Sequence, residues 1–280
     1  MKVAISVVRL KLKKIYTIMI FTESQLPIVG TICGDIIGSS YERKRMKDYD
    51  FEMFPPRTRC TDDSVCTVAV AEALVEGEKF EDALRRWCNK YPRAGYGRAF
   101  KAWIADPEMG AYNSWGNGSA MRVSACGVVA KTLGEALELA KKSAEVTHDH
   151  PEGIKGAQAT AAAIFLARHG ATKEEIKEEV ERLTGYDLSR RYDDIKPGYK
   201  FASSCQLSVP ESIICFLEGK DYEDTVRLAV AMGGDSDTMA AIAGGIAAAY
   251  YKEIPEHLLT PCMRYLKPGM KEVIDRYRDL

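Results

Sequence analysis

The run from Met239 to Tyr251 limits the possible folds more than any other stretch of this chain. It has about 13 residues, no charge, and consists mostly of Ala, Gly and Ile. Such a segment predicts a helix that is apolar on every side and therefore buried. It is too short to cross a bilayer. The rest of the chain must therefore supply elements that surround this helix.

Two carboxylates come just before this predicted helix, in Gly233-Gly-Asp-Ser-Asp-Thr238. Asp and Ser at a helix start can cap free backbone N–H groups, and the helix dipole favours negative charge there. Asp, Ser and Thr oxygens at this density are also ligands for hard cations. This stretch alone is equally compatible with helix capping and with a metal site.

A second acidic helix start is predicted at Thr61-Asp62-Asp63-Ser64, where apolar residues at helical spacing follow. If the two starts meet, Asp62, Asp63, Asp235 and Asp237 place four negative charges together, which would repel strongly in a core. Two Mg²⁺ ions would balance them. Sequence spacing does not establish that the two starts meet.

Roughly a dozen helical patterns and no convincing alternating strand predict a single compact all-α domain over residues 27–280. Gly30, Gly34 and Gly38 recur every four residues, which predicts that another backbone packs closely against this helix. Three further helix starts are predicted by capping sequences at Thr132, Thr172 and Ser208. Residues 185–206 are predicted to be a long loop, of the kind that is often functional or flexible.

Residues 1–26 are predicted to be an extension outside the domain, disordered or not native, with Met19 as an alternative start. Lys and Arg interrupt its apolar residues, which excludes a spanning helix, and the pattern does not fit a signal peptide. A net charge of −1 argues against binding to nucleic acid or anionic membranes. The eight cysteines form no C-x-x-C pair, so we expect free thiols in a reducing cytoplasm.

Three other sites each have an ordinary explanation beside a functional one. The turn Gly116-Asn-Gly-Ser119 could expose N–H groups to a phosphate or simply be a turn. Thr147-His148-Asp149-His150 could bind a transition metal, but a polar loop with one substrate-facing histidine fits better because no third ligand is near. Glu42, taken alone, is a solvated surface acid.

Five motifs, taken together and in this order, resemble a known family. They are Gly34-Asp35-x-x-Gly38-x-x-x-Glu42, Thr61-Asp62-Asp63, Gly116-Asn-Gly-Ser-Ala-Met-Arg122, Thr147-His148 and Gly233-Gly-Asp-Ser-Asp-Thr238. Their order and content are similar to those of the ADP-ribosylglycohydrolases, which include the dinitrogenase reductase-activating glycohydrolases. The resemblance covers about residues 28–252.

The resemblance implies an orthogonal all-α fold with two Mg²⁺ ions, or Mn²⁺, at its centre. The implied metal ligands are Thr61, Asp62, Asp63, Asp235, Asp237 and Thr238. Gly116, Asn117, Gly118 and Ser119 would hold the diphosphate of ADP-ribose and His148 its distal part. Glu42, or a metal-bound Asp such as Asp62 or Asp235, would act as the catalytic carboxylate at the reacting sugar.

The implied reaction releases ADP-ribose from a protein side chain or a small-molecule conjugate, carried out by a cytoplasmic monomer. Two other functions remain compatible with the residues. One is a two-metal phosphohydrolase that attacks the pyrophosphate, and the other is a non-catalytic ADP-ribose binder. The sequence does not identify the acceptor, and the loop 185–206 is the candidate region for choosing it.

Overall fold

The computed structural model describes residues 21–280, which form fourteen α-helices, two short 3₁₀ helices and no β-strand. The α-helices are α1 (Leu26–Gly38), α2 (Asp62–Glu76), α3 (Phe80–Lys90), α4 (Arg98–Ala105), α5 (Ser124–Val129), α6 (Leu133–Glu145), α7 (Pro151–Arg168), α8 (Lys173–Thr184), α9 (Tyr192–Ile195), α10 (Cys205–Glu218), α11 (Tyr222–Ala231), α12 (Ser236–Tyr251), α13 (Glu256–Cys262) and α14 (Met270–Asp275). The 3₁₀ helices are Asn117–Ser119 and Met263–Tyr265. The prediction of an all-α fold is confirmed.

Helices α1 and α12 form the central pair, and their backbones touch. A Cβ placed at Gly34 would lie 2.0 Å from the carbonyl oxygen of Ala240, and one at Gly38 would lie 2.3 Å from that of Ser236. At the other end of the pair, a Cβ at Gly30 would lie 2.4 Å from the Cβ of Ala248. The glycines every four residues therefore predicted this close approach correctly.

The other helices pack around this pair. Helix α12 is buried from Ser236 to Ala249, with α1, α7, α10 and α11 against it. The apolar run that begins at Met239 is therefore a buried core helix, as predicted. Within residues 21–280, no helix combines the length and apolar character needed to cross a membrane.

The capping sequences predicted two of three helix starts. Thr172 forms a full capping box with Glu175, and Thr132 accepts from the N–H of Glu135. The start predicted at Ser208 is wrong, because α10 begins at Cys205, one turn earlier. The Ser208 hydroxyl instead donates to the carbonyl of Ser204 at 2.8 Å. Pro210 lies inside the helix rather than in its first turn. The prediction began the helix too late because a proline is more typical of a first turn.

The start of the described chain is tied to its other end. Gln25 is buried and donates through Nε2 to the carbonyl of Ile274 at 3.0 Å, and Ser24 donates to the carbonyl of Leu280 at 2.5 Å. Residues 1–20 of the predicted extension lie outside the described residues, so its dispensability and the boundary at residue 26 stay predictions. The predicted loop 185–206 contains the short helix α9.

Candidate metal centre and cavity

The N-termini of α2 and α12 open into one cavity of about 550 Å³. Its residues come from distant parts of the chain: Glu42, Arg59, Asp62, Asp63, residues 95–101, Tyr112, Gly116 to Gly118, Arg122, His148, Phe201, Ser203, Asp235, Asp237 and Thr238 among them. The cavity therefore joins all the motifs that the sequence singled out.

Three buried carboxylates lie close together, and two of them, Asp63 and Asp237, line the cavity. Asp35 from α1, Asp63 from α2 and Asp237 from α12 each offer an oxygen, and these oxygens lie within 4.8 Å of one another. Asp62 and Asp235 line the cavity beside them. The structure thus brings the two acidic helix starts together, which sequence spacing alone could not establish.

Helix capping does not account for Asp235. It stands at the N-cap of α12 but accepts no backbone N–H of that helix. Its Oδ2 accepts from Nδ2 of Asn117 at 2.9 Å, a contact that crosses 118 residues of chain. Capping does apply at the other start, where the Thr61 side chain accepts from the N–H of Asp63.

Asp35 is the member of the cluster for which the sequence analysis gave no role. Its carboxylate accepts from the N–H of Thr61 at 3.0 Å and of Ser64 at 3.1 Å, and from both hydroxyls. It therefore caps α2 from a neighbouring helix and holds Thr61 in place. The available signal was that Asp35 is the single charged residue in the otherwise apolar helix α1.

Burial makes this cluster electrostatically unfavourable without compensation. It raises the pKa of Asp62 to about 7, with the neighbouring charge of Asp35 adding to the effect. Burial followed by the adjacent carboxylates raises the pKa of Asp63 and of Asp237 well above the usual range. The pKa of Asp235 is raised by burial as well. Such a group of acids takes up protons or a cation.

The donor set fits a hard divalent cation. Oδ1 of Asp63 is buried and has no hydrogen-bond partner among residues 21–280. An orphaned carboxylate oxygen in this position is free to act as a ligand. The hydroxyl of Thr61 donates to Asp35 at 2.5 Å and accepts from the N–H of Asp63, which leaves one lone pair available. Carboxylate and hydroxyl oxygens are the ligands of Mg²⁺, Mn²⁺ and Ca²⁺ rather than of softer metals.

Glu42 lies in the turn after α1, on the cavity wall above the cluster. Its side chain is 27% exposed, and its nearest cation is Arg43 at 4.0 Å. The negative charge of Glu42 helps to raise the pKa of Asp62 and of Asp237, which is consistent with Glu42 facing the cluster. The structure therefore places Glu42 inside the site rather than on open surface.

The turn at Gly116 forms another wall and is held by the distant loop before α10. Asn117 donates its N–H to the carbonyl of Ser203 at 2.8 Å, and Cys205 donates to that of Trp115 at 2.9 Å. Gly116, Asn117 and Gly118 line the cavity. The hydroxyl of Ser119 turns into the fold and donates to the carbonyl of Gly153 at 2.7 Å. Ser119 itself is fully buried and, unlike the three residues before it, does not line the cavity.

The two histidines of the 147–150 segment have separate environments. His148 is buried and lines the cavity. His150 is the N-cap of α7, and its Nδ1 accepts from the N–H of Glu152 at 3.0 Å. With one histidine committed to capping, the pair does not form a transition-metal site.

Sequence reasoning missed the residues that fix the loop 196–204 to the site. Lys47 places its Nζ among the carbonyl oxygens of Lys196, Tyr199 and Met232, at 2.6, 3.0 and 2.5 Å. This ammonium ties the loop to the turn at Gly233, just before the acidic motif. A lysine in a basic loop gives no sequence signal for such a role.

Comparison with known proteins identifies one family over residues 27–280. The family model described as ADP-ribosylglycohydrolase matches residues 27–280. Similar curated proteins include ADP-ribosylhydrolase ARH3 of Gallus gallus, 27% identical, with the match covering 81% of this chain and 84% of the relative. The ARH3 of Homo sapiens is 26% identical, covering 85% and 88%.

A bacterial relative and a solved structure agree with this result. The ADP-ribosylarginine hydrolase Tri1 of Pseudomonas putida is 26% identical, with 80% of this chain and 69% of the relative covered. A solved chain titled "ADP-ribosylglycohydrolase-related protein complex" superposes with a TM-score of 0.71 at 25% identity. That superposition covers 91% of this chain and 95% of the solved one.

Proposed function

This chain belongs to the ADP-ribosylglycohydrolase family, and from that premise we propose that it is a divalent-metal-dependent hydrolase of ADP-ribosyl conjugates. The bond cut joins C1″ of ADP-ribose to an acceptor, and free ADP-ribose is released. The observation that carries the proposal is the cluster of buried carboxylates at the base of a cavity large enough for a nucleotide.

The metal would be Mg²⁺, or Mn²⁺, with two ions sharing the ligands. Thr61, Asp62, Asp63, Asp235, Asp237 and Thr238 would hold them. When bound, such cations neutralise the carboxylates and supply a Lewis acid beside the ribose and the water. The orphaned oxygen of Asp63 supports this assignment.

The cavity walls would orient the rest of the substrate. The backbone of Gly116, Asn117 and Gly118 would face the diphosphate, because a glycine turn lets phosphate oxygens approach N–H groups closely. His148 lies beside that turn. Residues 95–101 and the loop 196–204, which carries Phe201, would contact the acceptor.

Hydrolysis needs a group that removes a proton from the attacking water. The water oxygen bonds to C1″, the bond from C1″ to the acceptor breaks, and the acceptor leaves with a proton. Glu42 is suited to take the water proton, because it faces the cluster without being locked in its hydrogen bonds. A carboxylate beside the sugar also stabilises the positive charge that develops on the ribose.

The products separate this activity from its alternatives. Arginine-, serine- and glutamate-linked ADP-ribose conjugates are incubated with the protein, with Mg²⁺ or with EDTA. We expect ADP-ribose from at least one conjugate with Mg²⁺ and none with EDTA. AMP as the product would identify a phosphohydrolase, and unchanged conjugates throughout would identify a binding protein.

Asp235→Ala tests whether this aspartate serves the reaction or the helix. We expect hydrolysis to be abolished while the fold survives, because losing one ligand misplaces the cation and relieves repulsion within the cluster. The matched control is Asp221→Ala. Asp221 caps α11 by accepting from the N–H of Asp224 at 2.8 Å and lies outside the cavity.

The control should lose about 0.5–2 kcal/mol of stability and keep its activity. Thermal melting with and without Mg²⁺, beside ADP-ribose release, reports both effects. An active Asp235→Ala protein that is insensitive to EDTA would show that Asp235 is not a ligand of a required cation.

The cysteines bear on the cellular setting. All eight cysteines are free and buried, which suits a reducing cytoplasm. We propose a cytoplasmic monomer that acts on ADP-ribosylated proteins or small conjugates rather than on membranes or nucleic acid.

A further inference from the structure

Arg122 is a buried cation without a carboxylate partner among residues 21–280. It is 1% exposed, and its Nη2 donates to the carbonyl of Ser143 at 2.5 Å and to Oγ1 of Thr147 at 3.0 Å. Its Nε is buried and has no acceptor in the described part of the chain. A guanidinium can only donate hydrogen bonds and stays charged in proteins. The oxygen of Thr147 is therefore an acceptor toward Arg122.

The hydroxyl proton of Thr147 must then go elsewhere. Its remaining polar neighbour is Nδ1 of His148, at 2.7 Å. If Nδ1 carried a proton as well, the buried hydroxyl would have no acceptor, at a cost of about 1–3 kcal/mol. Thr147 is fully buried, so water does not relieve that cost. The contact is satisfied when Thr147 donates and Nδ1 accepts.

We infer that Arg122 and Thr147 are positioning residues that fix His148 as the neutral tautomer with its proton on Nε2. A chain of two hydrogen bonds, from Arg122 to Thr147 to His148, sets the direction of every donor along it. His148 is thereby a permanent hydrogen-bond donor at Nε2. Its Nδ1 lone pair is occupied, so it is neither a general base nor a metal ligand.

The surroundings of His148 keep the ring neutral. Burial, with the positive charge of Arg122, lowers the pKa of His148 well below its usual value. The groups facing the ring are Tyr112, at 5.9 Å between ring centroids, and the turn at Gly116. Neither offers a negative charge that would favour the imidazolium form.

Nε2 of His148 faces the glycine turn. A Cβ placed at Gly118 would lie 3.2 Å from this nitrogen, and one at Gly116 would lie 3.5 Å from it. The described residues give Nε2 no hydrogen-bond partner, and His148 lines the cavity. A donor at this point suits an anionic oxygen, while the opposite tautomer would present a lone pair and repel it. That the anion is the diphosphate of ADP-ribose rests on the proposed function.

Histidine tautomers can be read directly by NMR. The full-length protein with Mg²⁺ is labelled with ¹⁵N at its four histidines, and His148→Gln assigns the signal. We expect the ¹⁵N chemical shift of Nε2 in His148 to be that of a protonated nitrogen, and the shift of Nδ1 to be that of an unprotonated nitrogen. The reverse pattern in the wild-type protein would overturn the inference before any relay variant is made.

Three variants test the relay itself. Thr147→Val keeps the shape and removes the hydroxyl, so the Nε2–H tautomer should lose its dominance. Thr147→Ser keeps the hydroxyl and should retain the wild-type signal. The matched control is Ser143→Ala, because the Ser143 hydroxyl has no hydrogen-bond partner among residues 21–280 and only its backbone carbonyl contacts Arg122. A purely structural Thr147 would lower the melting temperature in the Val variant and leave the tautomer unchanged, which would contradict the relay.

Calorimetric titration with ADP-ribose measures the consequence for binding. Thr147→Val should bind about tenfold more weakly, the size of one hydrogen bond. Thr147→Ser and Ser143→Ala should stay within about threefold of wild type. In turnover, the Val variant should raise KM more than it lowers kcat. Equal binding by Thr147→Val would overturn the positioning role. A wild-type protein with the Nε2–H tautomer and no affinity for ADP-ribose would instead contradict the proposed function alone.

Discussion

At the scale of single residues, hydrogen bonds fix the positions of the oxygens in this site and still leave lone pairs free for a cation. The hydroxyl of Thr61 donates to Asp35, and the side-chain amide of Asn117 donates to one oxygen of Asp235. Oδ1 of Asp63 has no partner in the described residues. Hydrogen bonds that orient ligands beforehand reduce the reorganisation needed when a cation binds.

Glu42→Gln removes a negative charge and keeps the shape of the side chain. We expect turnover to fall by ~10²-fold or more, as for a lost acid–base group, with little change in Mg²⁺ affinity. Initial rates of ADP-ribose release and calorimetric titration of Mg²⁺ measure the two effects. Glu52→Gln, an exposed acid farther along the same loop, serves as the control. Turnover within threefold of wild type would make Glu42 an ordinary surface acid.

Asp35→Asn tests the residue that the motifs did not explain. The amide would turn an N–H group toward donors at Thr61 and Ser64, and it would remove one charge from the cluster. We expect Mg²⁺ affinity to fall by ~10-fold or more, measured by titration. Asp149→Asn is the control, since Asp149 accepts only from the N–H of Asn113 in a loop. Unchanged affinity in Asp35→Asn would limit Asp35 to capping α2.

At the scale of helices, the contact of α1 with α12 sets the distance between two carboxylates of the cluster. Asp35 lies on α1, and Asp237 lies in the first turn of α12. Because the glycines bring the backbones into contact, the two helices cannot shift without collision. The spacing of the carboxylates is thus a property of the helix pair.

Gly34→Ala should disrupt that pair. The added Cβ would lie 2.0 Å from a backbone oxygen that cannot move independently. We expect a loss of about 3 kcal/mol or more, a fall of about 6 °C or more in melting temperature. Gly134→Ala in α6 is the matched control, because its Cβ would meet nothing closer than 3.9 Å. Similar melting temperatures for the two variants would mean that the helices separate easily.

The helices show which patterns in the sequence could be read. The spacing of Gly30, Gly34 and Gly38 predicted a close approach, because a missing side chain is a local signal of packing. The start of α10 was misplaced because Ser208 and Pro210 form a typical start pattern within a helix that was already running. The pairing of the turn at Gly116 with Ser204 joins distant segments and leaves no local signal.

At the scale of the whole molecule, stability depends on the protonation of the buried carboxylates. The pKa of Asp62 is raised to about 7 by burial and by Asp35, against about 3.9 in an unfolded chain. A carboxyl with a raised pKa favours folding while it is protonated. Its contribution is lost as pH rises from about 4 through 7.

The metal-free protein should therefore become less stable as the pH rises from about 4 to 7. Mg²⁺ should accordingly restore more stability at pH 8 than at pH 5.5. Melting curves with EDTA and with Mg²⁺ at both pH values measure the difference. Asp62→Asn removes one titrating group and should flatten the pH dependence of the EDTA curves. A Mg²⁺ effect of equal size at both pH values would contradict the linkage.

The sequence predicted the fold class, the buried α12 and both acidic helix starts from local chemistry alone. The residues that hold these elements and the site in place could not be predicted from the sequence. Asp35, Lys47 and Arg122 act through partners elsewhere in the chain. A single charge on an apolar helix or in a basic loop does not indicate which residue it will contact.

The contact between Gly38 and Ser236 joins residues 198 positions apart. During synthesis, α1 leaves the ribosome long before the helix that covers its glycine face has been translated. Contacts of this sequence separation form late and slowly, because the intervening chain must be ordered first. The growing chain thus carries Asp35 and Asp63 without their third partner until α12 emerges. A cation that needs all three carboxylates could therefore bind only late in the maturation of this protein.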